Sequence, residues 1–251
     1  MTAGVQTPHP LPNPTGLGFH EYLPPGYGTG ARFPLIVFFH GSGERGDGSS
    51  RELARVLANG PPRLLAEGAE LPAIVISPQL ADGVRWTAAV TTPFVDRILA
   101  AYDVDPDRIY ITGLSLGGEG AWVYARNHPD RIAAIAPVCG PRSGTGYGVL
   151  AGLPIWAFHT SGEEIVPVRT SVEILTEVTG VAPVPEAGQT GYFDGARWSW
   201  RPGEAAPQSG ERVAFTAYPG ASHDAWTPAY GNPELWRWLL AQRRGRPGAP
   251  G

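Results

Sequence analysis

The stretch RIYITGLSLGGEGAWVYARN, residues 108–127, decides how the whole sequence is interpreted. It begins with an apolar run typical of a buried strand and ends with a run long enough for a helix. Between them lies Gly113-Leu114-Ser115-Leu116-Gly117, a G-x-S-x-G motif in the strand–turn–helix context of a nucleophile elbow. Glycine lets neighbouring backbone pass a tight turn without a Cβ clash, and the helix N-terminus favours negative charge. The motif predicts that Ser115 is a nucleophile; an ordinary serine cap in a glycine-rich turn is the alternative.

The segments on either side continue an alternation of strands and helices. Continuously apolar runs predict strands at 33–39, 73–77, 108–112, 132–138, 154–158 and 212–218. Longer stretches predict helices at 50–67, 91–102, 116–127, 168–179 and 233–242. Continuously apolar strands that alternate with helices are typical of a parallel sheet covered on both faces. We therefore predict an α/β fold, a three-layer sandwich in which helices flank a mostly parallel central sheet.

The start of the chain does not follow this alternation. Residues 1–15 contain four prolines and little periodicity, which predicts a loosely held arm. The rest of the pattern predicts a single domain over residues 16–245.

A second exception is the segment 180–210, which is rich in Pro, Gly and Ala and carries four aromatic residues. Residues 196–200 (ARWSW) alternate and are expected to pair with 212–218 as a hairpin extension. The segment is interpreted either as a surface loop with a small core of its own or as an aromatic flap near the functional site.

Composition excludes several classes of function. The net charge of −4 over 251 residues gives no basic surface for nucleic acid, and no apolar run reaches the roughly 18 residues of a membrane helix. All 19 basic residues are arginine, so mechanisms that need a catalytic lysine are excluded. The single cysteine, Cys139, excludes internal disulfides and cysteine-based zinc clusters. We expect no nucleic-acid partner, no membrane partner, no cofactor and no metal, and we expect a monomer. The N-terminus lacks a signal pattern, which predicts a chain that is cytoplasmic or secreted after processing.

A serine nucleophile needs a base, which one of six histidines must supply. When a nucleophile elbow forms part of a triad, the chain order is Ser, acid, His. Only His159 and His223 follow Ser115 late enough, and only His223 leaves room for an acid before it. The sequence therefore predicts His223 as the base, with a capping histidine as the alternative.

The acid is expected in the turn that follows the strand at 154–158. That turn, residues 160–167 (TSGEEIVP), contains Glu163 and Glu164. Because the two are adjacent, only one of them can face His223. A solvated loop charge is the alternative for either.

Acyl transfer also needs backbone donors for an oxyanion, and two amides are candidates. One is the N–H of Leu116, directly after the nucleophile. The other is the N–H of Ser42 in the His40-Gly41-Ser42-Gly43 turn, where glycines let amides converge.

Together these motifs resemble those of the α/β-hydrolase superfamily, in particular small esterases related to polyhydroxybutyrate depolymerases and feruloyl esterases. The motifs that carry the resemblance are FHGSGERG (39–46), VDPDRIY (104–110), GLSLGG (113–118), HPDRIAAIAP (128–137) and SHDAW (222–226). The resemblance covers about residues 20–242. It implies Ser115 as nucleophile and His223 as base, and it puts the acid at Glu163, where that branch has Asp.

The resemblance implies a serine carboxylic-ester hydrolase that forms an acyl-enzyme. Trp86 and Trp226 are candidates for the walls of a substrate pocket; the alternative is that they only pack loops. No large insertion lies between the strands at 132–138 and 154–158, so we expect an open cleft suited to bulky, aryl or polymeric esters. Two other functions stay open: a serine peptidase of the prolyl-oligopeptidase type, for which the chain has no room for a propeller gate, and a binding protein on an inactive hydrolase fold.

Overall fold

The protein is described by a computed structural model over residues 4–208 and 210–245. Within these residues the strands form one ten-stranded sheet in the order β1-β2-β4-β3-β5-β6-β7-β10-β8-β9. The strands are β1 (Val5–His9), β2 (Phe19–Leu23), β3 (Phe33–Phe39), β4 (Ile74–Pro78), β5 (Val104–Leu114), β6 (Ala134–Val138), β7 (Ile155–Thr160), β8 (Gln189–Phe193), β9 (Trp198–Pro202) and β10 (Val213–Tyr218).

The centre of the sheet is parallel and both margins are antiparallel. Strands β4, β3, β5, β6, β7 and β10 pair in parallel, and β1–β2 and β8–β9 add an antiparallel pair on each side. The predicted mostly parallel sheet is confirmed. Because parallel strands end at the same edge, the loops after β3, β5, β7 and β10 meet there.

Helices cover both faces of the sheet, which confirms the three-layer sandwich. The helices are α1 (Ser50–Leu53), α2 (Gly60–Ala66), α3 (Ala88–Ala101), α4 (Leu116–Asn127), α5 (Arg169–Thr179), α6 (Trp226–Gly231) and α7 (Pro233–Ala241). Helices α3, α4 and α5 share one apolar cluster with the sheet, and α2, α6 and α7 share another. The single helix predicted over 50–67 is interrupted, because Pro61 and Pro62 begin a new helix at α2. No helix in the described part of the chain combines the length and the apolar composition needed to cross a bilayer.

The N-terminal segment is ordered, and the expectation of a loosely held arm is wrong from Val5 onward. Strand β1 pairs with β2 at the margin of the sheet, where Pro8 is tolerated because one side of an edge strand has no ladder to complete. The side chain of Asn13 fixes the following turn by donating to the carbonyls of His9, Pro10 and Leu17. Residues 1–3 lie outside the described part of the chain.

The aromatic segment extends the sheet. Strands β8 and β9 form an antiparallel hairpin, and β8, not β9, pairs with β10, so the predicted pairing of 196–200 with 212–218 is wrong. Trp198 and Trp200 stack on each other and pack against the core, with Trp200 edge-on to Phe215 at 6.4 Å. The alternation identified a strand, but it carries no information on which neighbour the strand selects. Trp198 and Trp200 therefore pack on the outer part of the core and are not an aromatic flap at the functional site.

Candidate active site

Ser115 occupies the sharp turn between β5 and α4. Its backbone has φ 51° and ψ −119°, a strained conformation for a residue with a Cβ. The turn is tight because its neighbours lack side chains: a Cβ on Gly113 would lie 2.6 Å from the Phe39 carbonyl oxygen, and one on Gly118 would lie 2.5 Å from that of Val138. The Ser115 N–H donates to the Val138 carbonyl at 2.9 Å, which anchors the turn to β6. The strain therefore presents the Ser115 hydroxyl at the edge where the loops meet.

The loop after β10 brings His223 to this hydroxyl. Nε2 of His223 lies 2.8 Å from Ser115 Oγ, and Nδ1 of the same ring contacts Glu163 Oε1. The Glu163 side chain is fully buried, whereas the neighbouring Glu164 is exposed. The structure thus brings together Ser115, His223 and Glu163 from three loops far apart in the chain.

The protonation pattern of this group follows from its contacts. Burial of the Glu163 carboxyl raises its pKa, but contacts from His159, His223 and the Val166 N–H outweigh burial, so the pKa lies below its usual value. An ionised carboxylate only accepts, so Nδ1 of His223 carries the hydrogen. Nε2 is then free to accept the proton of Ser115.

The two predicted oxyanion donors are amides at the start of helical turns. Leu116 is the first residue of α4, and Ser42 is the first residue of a 3-10 turn over Ser42–Glu44. The first N–H groups of a helix lack an internal partner and favour negative charge. Both predicted oxyanion donors therefore belong to backbone that can receive an anion.

His40 holds the loop that carries Ser42. Its ring is fully buried, and Nε2 accepts the Leu80 N–H at 2.9 Å, so the hydrogen must be on Nδ1, which donates to the Gly41 carbonyl at 2.6 Å. Burial lowers the pKa of His40 to about 4, which keeps the ring neutral. Because the Gly41–Ser42 peptide is planar and trans, fixing the carbonyl fixes the Ser42 N–H in the opposite direction.

Trp86 is buried behind the turn that carries Ser42. Its ring is only 2% exposed, stacks on Phe39 with ring centres 4.7 Å apart, and donates from Nε1 to the His40 carbonyl at 3.0 Å. The expectation that it forms a substrate wall is wrong, because the loop after β4 folds the indole against the turn of residues 40–44 that carries Ser42, which we call the oxyanion turn. Its contacts support that turn from behind.

Trp226 lies next to His223. Its ring stands edge-on to His223 with centres 5.2 Å apart, and Nε1 donates to Asn59 Oδ1 at 3.1 Å. The Asn59 amide in turn contacts the buried Glu44 carboxylate of the oxyanion turn. Beside Trp226 lies a mainly apolar cleft of about 230 Å³ whose walls include Asn59, Gly60, Arg63, Leu64, Trp226 and Tyr230.

The sequence did not reveal the role of Gln79, whose side chain is hydrogen-bonded to the backbone around the oxyanion turn. Gln79 is 2% exposed; its Nε2 donates to the carbonyls of Glu44 (3.0 Å) and Glu52 (2.6 Å), and its Oε1 accepts the Gly48 N–H at 3.0 Å. The available signal was a polar residue directly after a buried strand. Its three partners are backbone groups, which no side-chain motif encodes.

A metal-like cluster overlaps the triad. Cys139, Glu163 and His223 offer ligand atoms within 4.8 Å of one another. Two of these atoms already contact each other, and burial raises the pKa of the Cys139 thiol, which opposes the thiolate that binds metals. The geometry fits a proton-transfer group better than a metal centre.

Known proteins share parts of this chain and its fold. The model of the family described as Esterase matches residues 15–200. The chain is 44% identical over 46 residues to poly(3-hydroxyalkanoate) depolymerase C of Paucimonas lemoignei, covering 18% of this chain and 11% of that protein. It is 40% identical over 60 residues to S-formylglutathione hydrolase of Rattus norvegicus, covering 23% of this chain and 21% of that protein. The chain thus matches only a small part of these curated relatives. The solved structure of a thermostable esterase matches with a TM-score of 0.63 and 26% identity, over 96% of this chain and 63% of that one.

Proposed function

Because the chain belongs to the esterase family, we propose that it is a serine carboxylic-ester hydrolase with Ser115 as nucleophile, His223 as base and Glu163 as acid. One observation carries the proposal: the two nitrogens of a single imidazole lie against Ser115 Oγ and Glu163 Oε1. This arrangement moves a proton from a hydroxyl while keeping the imidazolium next to a negative charge.

In the first half-reaction, Ser115 Oγ attacks the ester carbonyl carbon while His223 Nε2 takes the hydroxyl proton. The carbonyl oxygen becomes an oxyanion, which the N–H groups of Leu116 and Ser42 stabilise. The tetrahedral intermediate collapses, the C–O bond to the alcohol breaks, and His223 gives its proton to the departing oxygen. Water then attacks the acyl-enzyme by the same steps, releasing the carboxylic acid and restoring Ser115.

Glu163 stays ionised through this cycle. Its lowered pKa keeps it a carboxylate, and its contact with Nδ1 holds the ring in the tautomer that accepts from Ser115. Glutamate and aspartate carry the same group, so the departure from the Asp of the resembling branch keeps the chemistry. The longer side chain changes only how that group is held.

The cleft beside Trp226 supports a substrate class. The walls of this cleft are mainly apolar, and the charge of Arg63 is paired with Glu67 at 2.8 Å. The cleft therefore favours neither an anionic nor a cationic ligand. An indole face next to the base suits flat apolar groups. The partial match to a poly(3-hydroxyalkanoate) depolymerase adds support for polymeric esters. We therefore include bulky, aryl and polymeric esters in the proposal.

Turnover of a p-nitrophenyl ester by the purified protein tests the reaction. We expect hydrolysis by the wild type, and we expect Ser115→Ala and His223→Ala to lose it, since triad members act as a unit. Ser115→Ala should keep the melting temperature of the wild type, because the hydroxyl supplies chemistry and not core volume. Residual activity of Ser115→Ala within about tenfold of wild type would exclude Ser115 as the nucleophile. Faster cleavage of a matched peptide amide would favour the peptidase alternative, and an inactive wild type would favour a binding protein.

A substrate panel tests the specificity. It contains short acyl esters, a feruloyl ester, a polyhydroxyalkanoate, an aromatic polyester and, because of the partial match to S-formylglutathione hydrolase, a glutathione thioester. We expect Trp226→Ala to lower kcat/KM for the aryl and polymeric esters more than for the short acyl esters. Trp198→Ala is the matched control, since this indole stacks on Trp200 at the margin of the sheet and neither residue is among the cleft walls. Equal losses for all esters would contradict a substrate-binding role of Trp226.

A further inference from the structure

The second carboxylate oxygen of Glu163 faces a second histidine. Oε1 contacts His223 and accepts the Val166 N–H at 2.8 Å. Oε2 lies 3.2 Å from Nε2 of His159, and the side chains of both residues are fully buried. The acid therefore lies between one imidazole at the site and one in the core.

The hydrogen on His159 can be located from its neighbours. Nε2 also lies 2.6 Å from the Val166 carbonyl oxygen, which only accepts, so Nε2 must carry a hydrogen. That hydrogen is bonded to the Val166 carbonyl, and Glu163 Oε2 lies beside it, 3.2 Å from Nε2, with no hydrogen bond of its own among the described residues. On the other side of the ring, Nδ1 lies 2.8 Å from the buried hydroxyl of Ser171 in α5. The ring is thus held between the end of β7, the acid loop and α5.

This arrangement explains how the Glu163 carboxylate is kept in one orientation. The last torsion of a glutamate side chain is broad, so the backbone alone does not decide where each oxygen points. A buried carboxylate oxygen is costly, and the partial positive charge of the His159 N–H, whose nitrogen lies 3.2 Å from Oε2, favours the orientation that places Oε2 beside it. Val166 closes the group, because its N–H binds one oxygen of the acid and its carbonyl binds the histidine.

We propose that His159 is a positioning residue for the triad: it holds Oε2 of Glu163 so that Oε1 is directed at His223. The inference rests on the proposed function, since it matters only if Glu163 orients the base. His159 acts through Glu163 and not on the reacting atoms.

Three variants test this role. His159→Phe keeps a ring and removes the donor, His159→Gln keeps an N–H near the position of Nε2, and His128→Phe is the matched control, since this histidine caps the C-terminal end of α4, away from Ser115. We measure kcat and KM on one soluble ester, with kcat normalised to the Ser115 that reacts with a fluorophosphonate. We expect His159→Phe to lower kcat by up to about 10²-fold with little change in KM, as for a displaced catalytic group. We expect His159→Gln to recover most of that loss and His128→Phe to stay near wild type.

A double-mutant cycle separates positioning from general structural damage. In a Glu163→Gln background, His159→Phe should change kcat by no more than about twofold, because the group that it positions is already disabled. A residue that only supports the fold would lower kcat by the same factor in both backgrounds. Equal factors would therefore overturn the inference.

The remaining outcomes are also decisive. If His159→Phe does not fold, His159→Asn replaces it, since its shorter amide does not reach Glu163; a kcat equal to that of His159→Gln would overturn the inference. Suppose that the wild type hydrolyses esters and Ser115→Ala does not. If His159→Phe then lowers kcat by the same factor with and without Glu163→Gln, the role of His159 is excluded and the proposed function stands. If the wild type hydrolyses no ester, the proposed function and this inference fall together.

Discussion

The backbone of Gly117 passes directly against the carbonyl oxygen of Phe39. A Cβ on Gly117 would overlap that oxygen and would lie 2.7 Å from the carbonyl oxygen of His40. The first turn of α4 is therefore pressed onto the end of β3, and this contact sets how close the Ser115 loop lies to the oxyanion turn. A side chain at this position would push the two loops apart.

We predict that Gly117→Ala lowers the free energy of unfolding by more than about 3 kcal/mol, since the clash is with backbone that cannot rotate away. Denaturant unfolding measures the loss. Gly43→Ala is the matched control, because a Cβ at this glycine of the oxyanion turn meets no other atom within 4 Å. A Gly117→Ala protein as stable as Gly43→Ala would mean that the two loops are not in contact.

The adjacent acids give a second prediction. Glu163→Gln should lower turnover by up to about 10⁴-fold, because a neutral amide no longer stabilises the His223 imidazolium and its tautomer. Glu164→Gln should change turnover by less than about tenfold, because Glu164 is exposed. Turnover of both variants on one soluble ester decides between them. If Glu164→Gln is the variant that loses turnover, then Glu164 is the acid and Glu163 is not.

Glu163→Asp completes this comparison. It restores the residue type of the resembling branch, but the shorter side chain moves the carboxylate away from His159 or His223. We expect turnover between that of wild type and that of Glu163→Gln, measured on the same ester.

The neutral His40 predicts a specific pH dependence of stability. Its pKa falls from 6.5 to about 4 on folding, so between these values the unfolded chain binds a proton that the native chain does not. Stability is fully present above pH 6.5 and is lost as the pH falls to 4, by about 3 kcal/mol through this residue.

The His40→Gln variant isolates this contribution. Glutamine offers both a donor group and an acceptor but does not titrate, so the free energy of unfolding of the variant should depend less steeply on pH between 6.5 and 4. Burial also lowers the pKa of His20, so some slope should remain in the variant. Identical slopes in the two proteins, measured by denaturant unfolding, would show that His40 is protonated in the native state.

Cys139 should be dispensable for turnover. Its side chain is fully buried and burial raises the pKa of its thiol, so a thiol reagent should not modify the native protein. Cys139→Ala should keep turnover near wild type and cost about 1 kcal/mol of stability. A thiol reagent that abolishes turnover while the protein stays folded would contradict this prediction.

Features that depend on neighbours in the chain were predictable. The strand at 33–39 and the helix at 116–127 have the bounds that their apolar patterns indicate. The elbow at Ser115 was visible because the conformation that it needs selects glycines at fixed spacing around the serine. Local sterics and periodicity thus account for the fold class and for the position of the candidate nucleophile.

The partners of these features were decided by tertiary structure. The alternation in 196–200 indicated a strand, but only the folded sheet pairs it with β8 and places the N-terminal residues beside β2. Trp86 lies beneath the oxyanion turn and not in the cleft, although its position after β4 is the same in either case.

The choice of the acid is the clearest case that the sequence alone did not decide. Sequence alone offered two adjacent glutamates in one turn, and the folded loop buries Glu163 between His223 and His159 while it leaves Glu164 exposed. Neighbouring side chains point in different directions, so a one-residue choice depends on the path of the backbone. That path is set by the Val166 amide and carbonyl, by the end of β7 and by α5, which come together only when the sheet has formed.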